Sequence, residues 1–328
     1  MKTIIVSALL ASCLLGTRAF AQVKQTKEQI MFYTADWKGE RFPDGRPKVP
    51  DDVVKRAVDC SIEDIWDYLR QNGYQNQFEG DWQALHIDKP FAGRALTSQY
   101  MPSRPDIAKA EAAEGKAEGR IAFSNNNSWP INDLVPGDVY VADGYGKIVE
   151  GTLIGSNLGS GVAAHSKVGF IFYGGIRDEE ENRELPNFNG FYKGYDPSAW
   201  AQEELTSINA PIRIGRAVVV PGDLVIAKPQ GVLFVPAILA EGAVNAAELT
   251  GLMDAYNFEL NSQGKNGGQF ENGWDAAKFA GLKQWVAAHP DKLKMSQAQF
   301  DAAVAARMNR STRNAPAARG TSGTPPTP

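Results

Sequence analysis

The 328-residue sequence predicts an α/β fold to which helices have been added at the C-terminal end. Two segments begin with Pro-Gly-Asp and continue as alternating apolar runs, from Pro136 and from Pro221, and each predicts a β-hairpin. Between them, "GSNLGSGVAAHSKVGFIFYGGIRD" combines a Gly-rich loop, a short helix at about residues 160–167 and a buried strand at 169–173, which is typical of a βαβ unit. From Pro236 onward the pattern becomes helical, so a strand-rich centre followed by helices is expected.

Residues 1–21 have the pattern of a signal peptide. A positive start at Lys2 precedes an apolar stretch and the small-x-small cleavage site "AFA", which ends just before Gln22. The apolar stretch is too short for a membrane span. We therefore expect an exported protein, periplasmic or secreted. A lipoprotein site ending at Cys13 is a weaker alternative, because the apolar run continues past that cysteine.

The composition excludes several classes of function. Without residues 1–21, which hold two basic residues and no acidic one, the formal net charge changes from −4 to −6, and no basic footprint for nucleic acid remains. The one mature cysteine, Cys60, is expected to be a small core residue. His86, His165 and His289 lack metal-ligand spacing, and neither a G-x-S-x-G elbow nor a nucleotide-phosphate motif is present.

The first part of the mature chain predicts an arm, helices and one strand. Residues 22–50 contain the loop signal "FPDGRPKVP" and are expected to form an arm on the surface. Helical periodicity starts at residue 51, and Ser61 with Asp64 resembles a capping box. "FAGRALTSQYM", residues 91–101, predicts a strand, and the "AKAEAAEGKAEGR" that follows it predicts a solvated helix.

The C-terminal third predicts helices and then a disordered tail. A helix near residues 237–260 is expected to close the main domain, residues 51–260. In a helical extension, residues 261–308, one amphipathic helix is followed by another that Ser296 caps. Residues 309–328 have too little apolar content to order themselves, so a disordered tail is expected.

The loop "GSNLGSG" is the first candidate site. The N–H groups at the start of a helix lack intrahelical acceptors, and the helix dipole adds positive potential there. Gly155, Gly159 and Gly161 are expected to let a ligand approach the backbone, so the loop predicts a cradle for a carboxylate or phosphate. A flexible strand-to-helix turn would explain the same residues.

Arg177 and Asp178 form the second candidate site, just after the predicted strand. Ligands of α/β sheets gather at the carboxyl ends of strands. An arginine there can bind a carboxylate or a developing oxyanion, and an aspartate can hold a hard divalent cation. The alternative is that Asp178 and the acids after it only favour a helix start, with Arg177 as their surface counter-charge.

Several motifs together resemble the RraA-like family, which includes the regulator of ribonuclease activity A and the 4-hydroxy-4-methyl-2-oxoglutarate aldolases. "FAGRALT", "PGDVYVADGYG", "GSNLG", "VGFIFYGGIRDEEE" and "PIRIGRAVVVPGDLVIAKPQGVLFVP" occur in the family's order. The resemblance covers about residues 51–260. The signal peptide, residues 105–132 and everything after residue 260 resemble additions.

The resemblance implies a β/β/α sandwich that assembles as a homotrimer or homohexamer, with the active site between subunits. It also implies a class II aldolase, a lyase that depends on Mg²⁺ or Mn²⁺. In those aldolases a loop binds pyruvate through backbone amides, an arginine contacts the substrate, and an aspartate holds the metal. Here the loop is Gly155, Ser156, Asn157 and Leu158, the substrate-binding and catalytic arginine is Arg177, and the metal-binding aspartate is Asp178.

The implied mechanism stabilises the enolate of pyruvate while a C–C bond of a 4-hydroxy-2-oxo acid breaks, and oxaloacetate decarboxylation would pass through the same enolate. Ser156 stands where the aldolases carry an aspartate. Two alternatives to a lyase therefore stay open: a non-catalytic protein that binds an oxo acid or a partner, and an enzyme with a different reaction on the same scaffold. Regulation of a ribonuclease would require a cytoplasmic partner, which the expected export opposes.

Overall fold

A computed structural model of the chain describes residues 23–120, 126–265 and 274–313, with side chains as far as residue 309. The predicted signal peptide and residues 314–328 of the predicted tail lie outside these ranges. None of the helices in the described ranges is long and apolar enough to cross a membrane.

The strands and helices of the described residues alternate through the main domain and become helical at its end. In chain order the strands are β1 Phe78–Glu79, β2 Gln83–Ala84, β3 Phe91–Pro102, β4 Asp138–Asp143, β5 Gly169–Ile176, β6 Asn189–Tyr195, β7 Glu203–Ile208, β8 Ile212–Ile214, β9 Ala217–Val219, β10 Leu224–Lys228 and β11 Gly231–Val235. The α-helices are α1 Lys27–Tyr33, α2 Asp51–Ala57, α3 Ile62–Gln71, α4 Pro105–Ala117, α5 Trp129–Asp133, α6 Ser156–Ser166, α7 Glu179–Arg183, α8 Ala237–Ser262, α9 Ala276–Ala288 and α10 Gln297–Arg313.

The large sheet has the order β1-β11-β10-β3-β4-β5-β6-β2, and β7 pairs with the far half of β3. Strands β3, β4, β5 and β6 run parallel, which confirms the βαβ unit that links β4 to β5 through α6. Strands β10 and β11 form the antiparallel hairpin predicted after Pro221. The mixed sheet and its helices confirm the predicted α/β class.

The prediction of a β-hairpin after Pro136 is wrong. Strand β4 is buried along its whole length and pairs in parallel on both sides, as a central strand does. The residues that were expected to form its partner strand lie in a loop that packs on β5, where Gly175 N–H donates to the Gly151 carbonyl at 3.1 Å. Alternating apolar residues occur both in a hairpin strand and in a central parallel strand, so the sequence pattern alone does not distinguish the two.

The two Pro-Gly-Asp motifs instead share a tight turn. Gly137 and Gly222 both have a φ of 91°, a conformation that favours glycine at the third position of a type II turn. Asp138 and Asp223 each accept a hydrogen bond from the N–H three residues earlier, at 3.0 and 2.8 Å. Both turns start a buried strand.

Both faces of the sheet are covered. Side chains such as Tyr140 and Phe172 pack in one cluster with residues of α5 and α6. Their neighbours Val139 and Ile171 point to the opposite face and pack with the small β8–β9 hairpin. Helices α2, α3 and α8 pack on β10 and β11. The site described below lies on the side covered by α6.

The N-terminal arm is held more firmly than a surface arm would be. Arg46 is 1% exposed and makes two hydrogen bonds to the Asp138 carboxylate, at 2.9 and 3.0 Å. Ile30 and Val49 of the arm are also buried. The expectation of an arm that lies only on the surface is therefore corrected: a buried ion pair fixes it to the start of β4.

The C-terminal helices pack against the second half of α8. Leu252, Phe279 and Val304 belong to one buried cluster. The Ser296 hydroxyl accepts from Gln299 N–H at 3.3 Å, as the predicted cap requires. Helix α10 extends to Arg313, so the first five residues of the segment expected to be disordered are helical.

Candidate functional site

The candidate site forms where the loop before α6 meets the carboxyl end of β5. Gly155 is the N-cap of α6, and Arg177 and Asp178 immediately follow β5. The two segments lie side by side because Leu153 N–H donates to the Gly175 carbonyl at 3.0 Å and Arg177 N–H to the Ile154 carbonyl at 3.1 Å. Helix α6 starts at Ser156, earlier than the predicted residue 160, so most of the predicted loop is its first turn.

Asp178 caps α6 rather than the short helix α7 that follows it. The residue has a φ of 54°, and its side chain makes no capping hydrogen bond to α7. Oδ2 instead accepts from Ser156 N–H at 2.9 Å and from the Ser156 hydroxyl at 3.3 Å. The serine thus donates to the aspartate that the sequence predicts to hold a metal. Oδ1 of Asp178 makes no hydrogen bond to the described residues, so it stays available to a ligand.

Arg177 keeps its donors for a ligand. Its Nε lies 4.0 Å from Asp178 Oδ2, and the side chains of Arg177 and Asp178 are 41% and 38% exposed. An ion pair this long and this exposed contributes little to stability. Among the described residues the guanidinium has no hydrogen-bond acceptor, and such a group is suited to bind a planar carboxylate or an enolate oxygen.

Five of the six predicted site residues line one cleft of about 110 Å³. Ser156 does not line it and reaches the site only through Asp178. The complete wall is Asn127, Thr152, Gly155, Asn157, Leu158, Arg177, Asp178, Ala199 and Trp200. Larger cavities of 480 and 610 Å³ lie beside the N-terminal arm, but neither includes Arg177 or Asp178.

The glycines around the site accommodate neighbouring protein groups, and of the three that are predicted to admit a ligand, Gly155 lines the cleft whereas Gly159 and Gly161 do not. A Cβ at Gly155 would lie 2.5 Å from Asp178 Oδ2, and one at Gly159 would overlap the buried Asn182 amide. Gly161 faces Ile131 at 3.3 Å. At the end of β5, a Cβ at Gly175 would meet the backbone of the preceding loop at 3.0 Å. Glycine is needed for close packing at Gly155, Gly159 and Gly175, and at Gly155 that packing builds the site.

Four residues of the wall had no signal in the sequence. Asn127 comes from the segment predicted to be an addition, and its side-chain amide donates to the Leu153 carbonyl at 2.9 Å. Thr152 donates to the Ser198 carbonyl at 2.7 Å and so ties its loop to the segment that carries Ala199 and Trp200. These residues become neighbours only in the folded chain.

Behind Trp200 lies a buried carboxyl group. Glu203 is 3% exposed, and burial raises its pKa to about 7, although Lys147, Tyr145 and Trp200 each lower it. Within the described residues, both Glu203 carboxylate oxygens and Trp200 Nε1 are buried and make no hydrogen bond. Buried groups of this kind are uncommon in proteins and costly.

Other residues that could carry chemistry are engaged elsewhere in the structure. His86 and His289 bond to backbone carbonyls at 3.0 and 2.8 Å, and burial raises the pKa of the Cys60 thiol to about 12. No group of three or more histidine, cysteine, aspartate or glutamate side chains within the described ranges is arranged to hold a metal ion. A divalent cation at Asp178 would therefore depend on one carboxylate, waters and substrate oxygens, which is a donor set that Mg²⁺ accepts. The free Oδ1 fits that role.

A protein-family model matches more than half of the chain. The model of the RraA-like family, described as Aldolase/RraA, matches residues 60–234. This range contains every residue of the cleft. It leaves out the N-terminal arm and helices α2, α8, α9 and α10.

A curated protein also resembles part of the chain. A curated protein of Halalkalibacterium halodurans, named "Putative 4-hydroxy-4-methyl-2-oxoglutarate aldolase", is 32% identical over 117 residues, which are 34% of this chain and 53% of that protein. The chain therefore spans about half the length of this curated relative.

Solved structures agree on the fold. Streptomyces coelicolor RraAS2, an unusual member of the RNase ES inhibitor RraA protein family, has a TM-score of 0.51 and 24% identity, over 66% of this chain and 98% of that chain. An uncharacterized protein of Pseudomonas syringae pv. tomato has a TM-score of 0.54 and 19% identity, over 69% and 95%.

Proposed function

Because the chain belongs to the RraA-like family, we propose that it is a lyase that breaks a carbon–carbon bond of a small 2-oxo acid and releases pyruvate. The observation that carries this proposal is the meeting of Arg177, Asp178 and the first turn of α6 in one cleft. A cleft of about 110 Å³ suits an acid of few carbon atoms. The substrate class we propose is a 4-hydroxy-2-oxo acid, with oxaloacetate as a second substrate.

The first turn of α6 supports binding of the substrate carboxylate. Of its N–H groups, that of Ser156 donates to Asp178 and that of Gly159 to the Gly155 carbonyl. The N–H groups of Asn157 and Leu158 therefore keep the unsatisfied character of a helix start, and the helix dipole favours an anion there. A carboxylate placed on these two groups would direct its 2-oxo group towards Arg177.

Arg177 supplies electrostatic stabilisation. When the C3–C4 bond of a 4-hydroxy-2-oxo acid breaks, with loss of the 4-hydroxyl proton to a base, the electron pair of that bond forms the C2–C3 double bond of an enolate and negative charge moves onto the 2-oxo oxygen. A guanidinium beside that oxygen stabilises the new charge more than it stabilises the neutral carbonyl, which is the condition for catalysis. Asp178 keeps the first turn of α6 in place through Ser156.

Asp178 is also the residue that would hold Mg²⁺ or Mn²⁺, through Oδ1. A divalent cation bound there would add Lewis-acid polarisation of the 2-oxo group. Ser156 cannot provide the second negative charge that an aspartate at this position would, so the affinity for the cation is expected to be modest.

A non-catalytic protein that binds an oxo acid is the second candidate. Arg177 and Asp178 are the only ionisable residues in the wall of the cleft that the structure describes. Cleavage of a 4-hydroxy acid requires a base for the hydroxyl proton, whereas binding requires none. A partner subunit can supply that base if the chain assembles as a homotrimer or homohexamer, which we propose together with export to the periplasm or medium.

Pyruvate release tests the proposed function. The mature chain, starting at Gln22, is incubated with 4-hydroxy-4-methyl-2-oxoglutarate or oxaloacetate, with Mg²⁺ or with a chelator. We expect turnover that needs Mg²⁺ and falls at least about a hundredfold in Arg177→Ala and Asp178→Asn, since each removes a charge at the reacting centre.

Arg183→Ala is the matched control. Arg183 is an exposed arginine on α7 that pairs with Glu179 of the same helix and is not part of the cleft wall. Its variant should turn over like the wild type. If the folded wild type binds pyruvate but cleaves neither substrate, the lyase proposal fails and the binding protein is the better account.

A further inference from the structure

The cleft has one wall whose support is incomplete in the structure. Trp200 lines the cleft, and on its other side its ring packs edge-on against Tyr100 with centroids 6.2 Å apart. The segment around Trp200 is fixed by backbone contacts, since Ala201 N–H donates to the Glu150 carbonyl at 2.9 Å and Lys147 Nζ to the Ala201 carbonyl at 2.6 Å. The buried indole N–H of Trp200, by contrast, has no acceptor among the described residues.

The carboxyl group of Glu203 is a candidate acceptor for this indole N–H. Glu203 begins β7, and Gln202 between them takes a φ of 54°, which turns the chain sharply. Trp200 and Tyr145 are close enough to Glu203 to lower its pKa. Both oxygens of Glu203 and the indole nitrogen of Trp200 are buried and make no hydrogen bond to the described residues. A hydrogen bond from the indole to the carboxylate would remove part of the cost of leaving them unpaired.

We propose that Glu203 positions Trp200: its ionised carboxylate accepts a hydrogen bond from the indole N–H and thereby fixes the wall of the substrate cleft. The identification of the cleft as the substrate site rests on the proposed function, whereas the contact between Glu203 and Trp200 does not. Glu203 touches no substrate atom and acts only through Trp200.

The charge state of Glu203 decides how firmly Trp200 is held. A carboxylate is a stronger acceptor for an N–H than a neutral acid, because the bond is assisted by charge. The charged or titratable groups that face Glu203 are Lys147 and Tyr145 from the loop after β4 and Tyr100 from β3. Burial opposes ionisation and raises the pKa to about 7, so the wall should tighten as the pH rises through this value.

Nuclear magnetic resonance of the Trp200 indole N–H tests the contact without any turnover. The full mature chain is labelled with ¹⁵N-tryptophan, and Trp200→Phe assigns the resonance. We expect the Trp200 indole proton to move downfield as the pH rises, with a midpoint of about 7, because the hydrogen bond to the carboxylate strengthens. In Glu203→Gln the position should not change with pH, since the amide has no charge to gain.

A second readout links the contact to binding of pyruvate, the probe. We expect the Kd for pyruvate to be about tenfold higher in Glu203→Ala and to recover in large part in Glu203→Gln, which restores an acceptor. Glu150→Gln, which neutralises an exposed carboxylate nearby, should match the wild type in both measurements.

Several results would overturn the proposal. They are a Trp200 resonance that does not change with pH in the wild type, a titration that persists in Glu203→Gln, and pyruvate affinity that is equal in the wild type and Glu203→Ala. If the wild type does not bind pyruvate, the proposed function fails, and the indole titration alone decides whether Glu203 positions Trp200.

Discussion

Replacement of Gly155 by alanine should disable the site while leaving the fold intact. The backbone at Gly155 has a φ of −114° and a ψ of −168°, which alanine adopts without strain. The new Cβ, however, would lie 2.5 Å from Asp178 Oδ2 and 2.8 Å from Arg177 Nε. An ordinary carbon–oxygen contact is about 3.4 Å, so the carboxylate must retreat by about 1 Å.

The displacement of the Asp178 carboxylate should lower both the stability of the protein and its turnover. Ser156 N–H now donates to Asp178 Oδ2 at 2.9 Å, and a shift of about 1 Å breaks this bond, at a cost of about 1–2 kcal/mol in the free energy of unfolding. A displacement of that size at a reacting centre lowers turnover by about a hundredfold. Pyruvate release and thermal unfolding of Gly155→Ala measure the two effects.

Gly161→Ala is the matched control for Gly155→Ala. Gly161 lies in the same helix, and a Cβ there would meet only Ile131, at 3.3 Å, so the variant should keep wild-type pyruvate release. If Gly155→Ala retains full activity while its melting temperature is unchanged, Asp178 and Arg177 are not held by Gly155 in the way described, and the reasoning is refuted.

Three further predictions concern stability. Arg46→Met should lower the free energy of unfolding by about 3–5 kcal/mol in chemical denaturation, because it leaves the Asp138 carboxylate buried without its partner, and a loss below about 1 kcal/mol would contradict the buried pair. Burial and the nearby Glu204 raise the pKa of Glu111 to about 9, so the folded state keeps a proton that the unfolded state releases above a pH of about 4.5. Stability should therefore fall as the pH rises from about 5 to 9, with a smaller slope in Glu111→Gln, and an unchanged slope would refute the assignment. Gly251 lies on α8, and a Cβ added there would have no atom within 4 Å. Gly251→Ala should therefore raise the free energy of unfolding by up to about 1 kcal/mol, and a loss of stability would show that the added methyl group meets a neighbour.

The sequence predicts elements well where local pattern and tertiary setting agree. The strand at 91–101, the hairpin after Pro221 and the caps at Ser61 and Ser296 are all present, because alternation and capping chemistry act over a few residues. The prediction of a hairpin after Pro136 is wrong because a central parallel strand and a hairpin strand show the same alternation of apolar residues. Pairing partners are set by the rest of the sheet.

Part of the candidate site could be predicted from the sequence. Arg177 and Asp178 follow a strand, and Gly155 opens a helix, so their meeting could be anticipated from the topology of a βαβ unit. Trp200 could not be placed, since it reaches the cleft from a loop that no local motif describes, and Glu203 behind it could not be placed for the same reason.

A crystal structure of residues 22–328 with pyruvate and Mg²⁺ would test whether this cleft binds the substrate. We expect the pyruvate carboxylate within hydrogen-bonding distance of the N–H groups of Asn157 and Leu158, with its 2-oxo oxygen towards Arg177 and the cation beside Asp178. Pyruvate bound at another cavity, with this cleft empty and open to solvent, would contradict it.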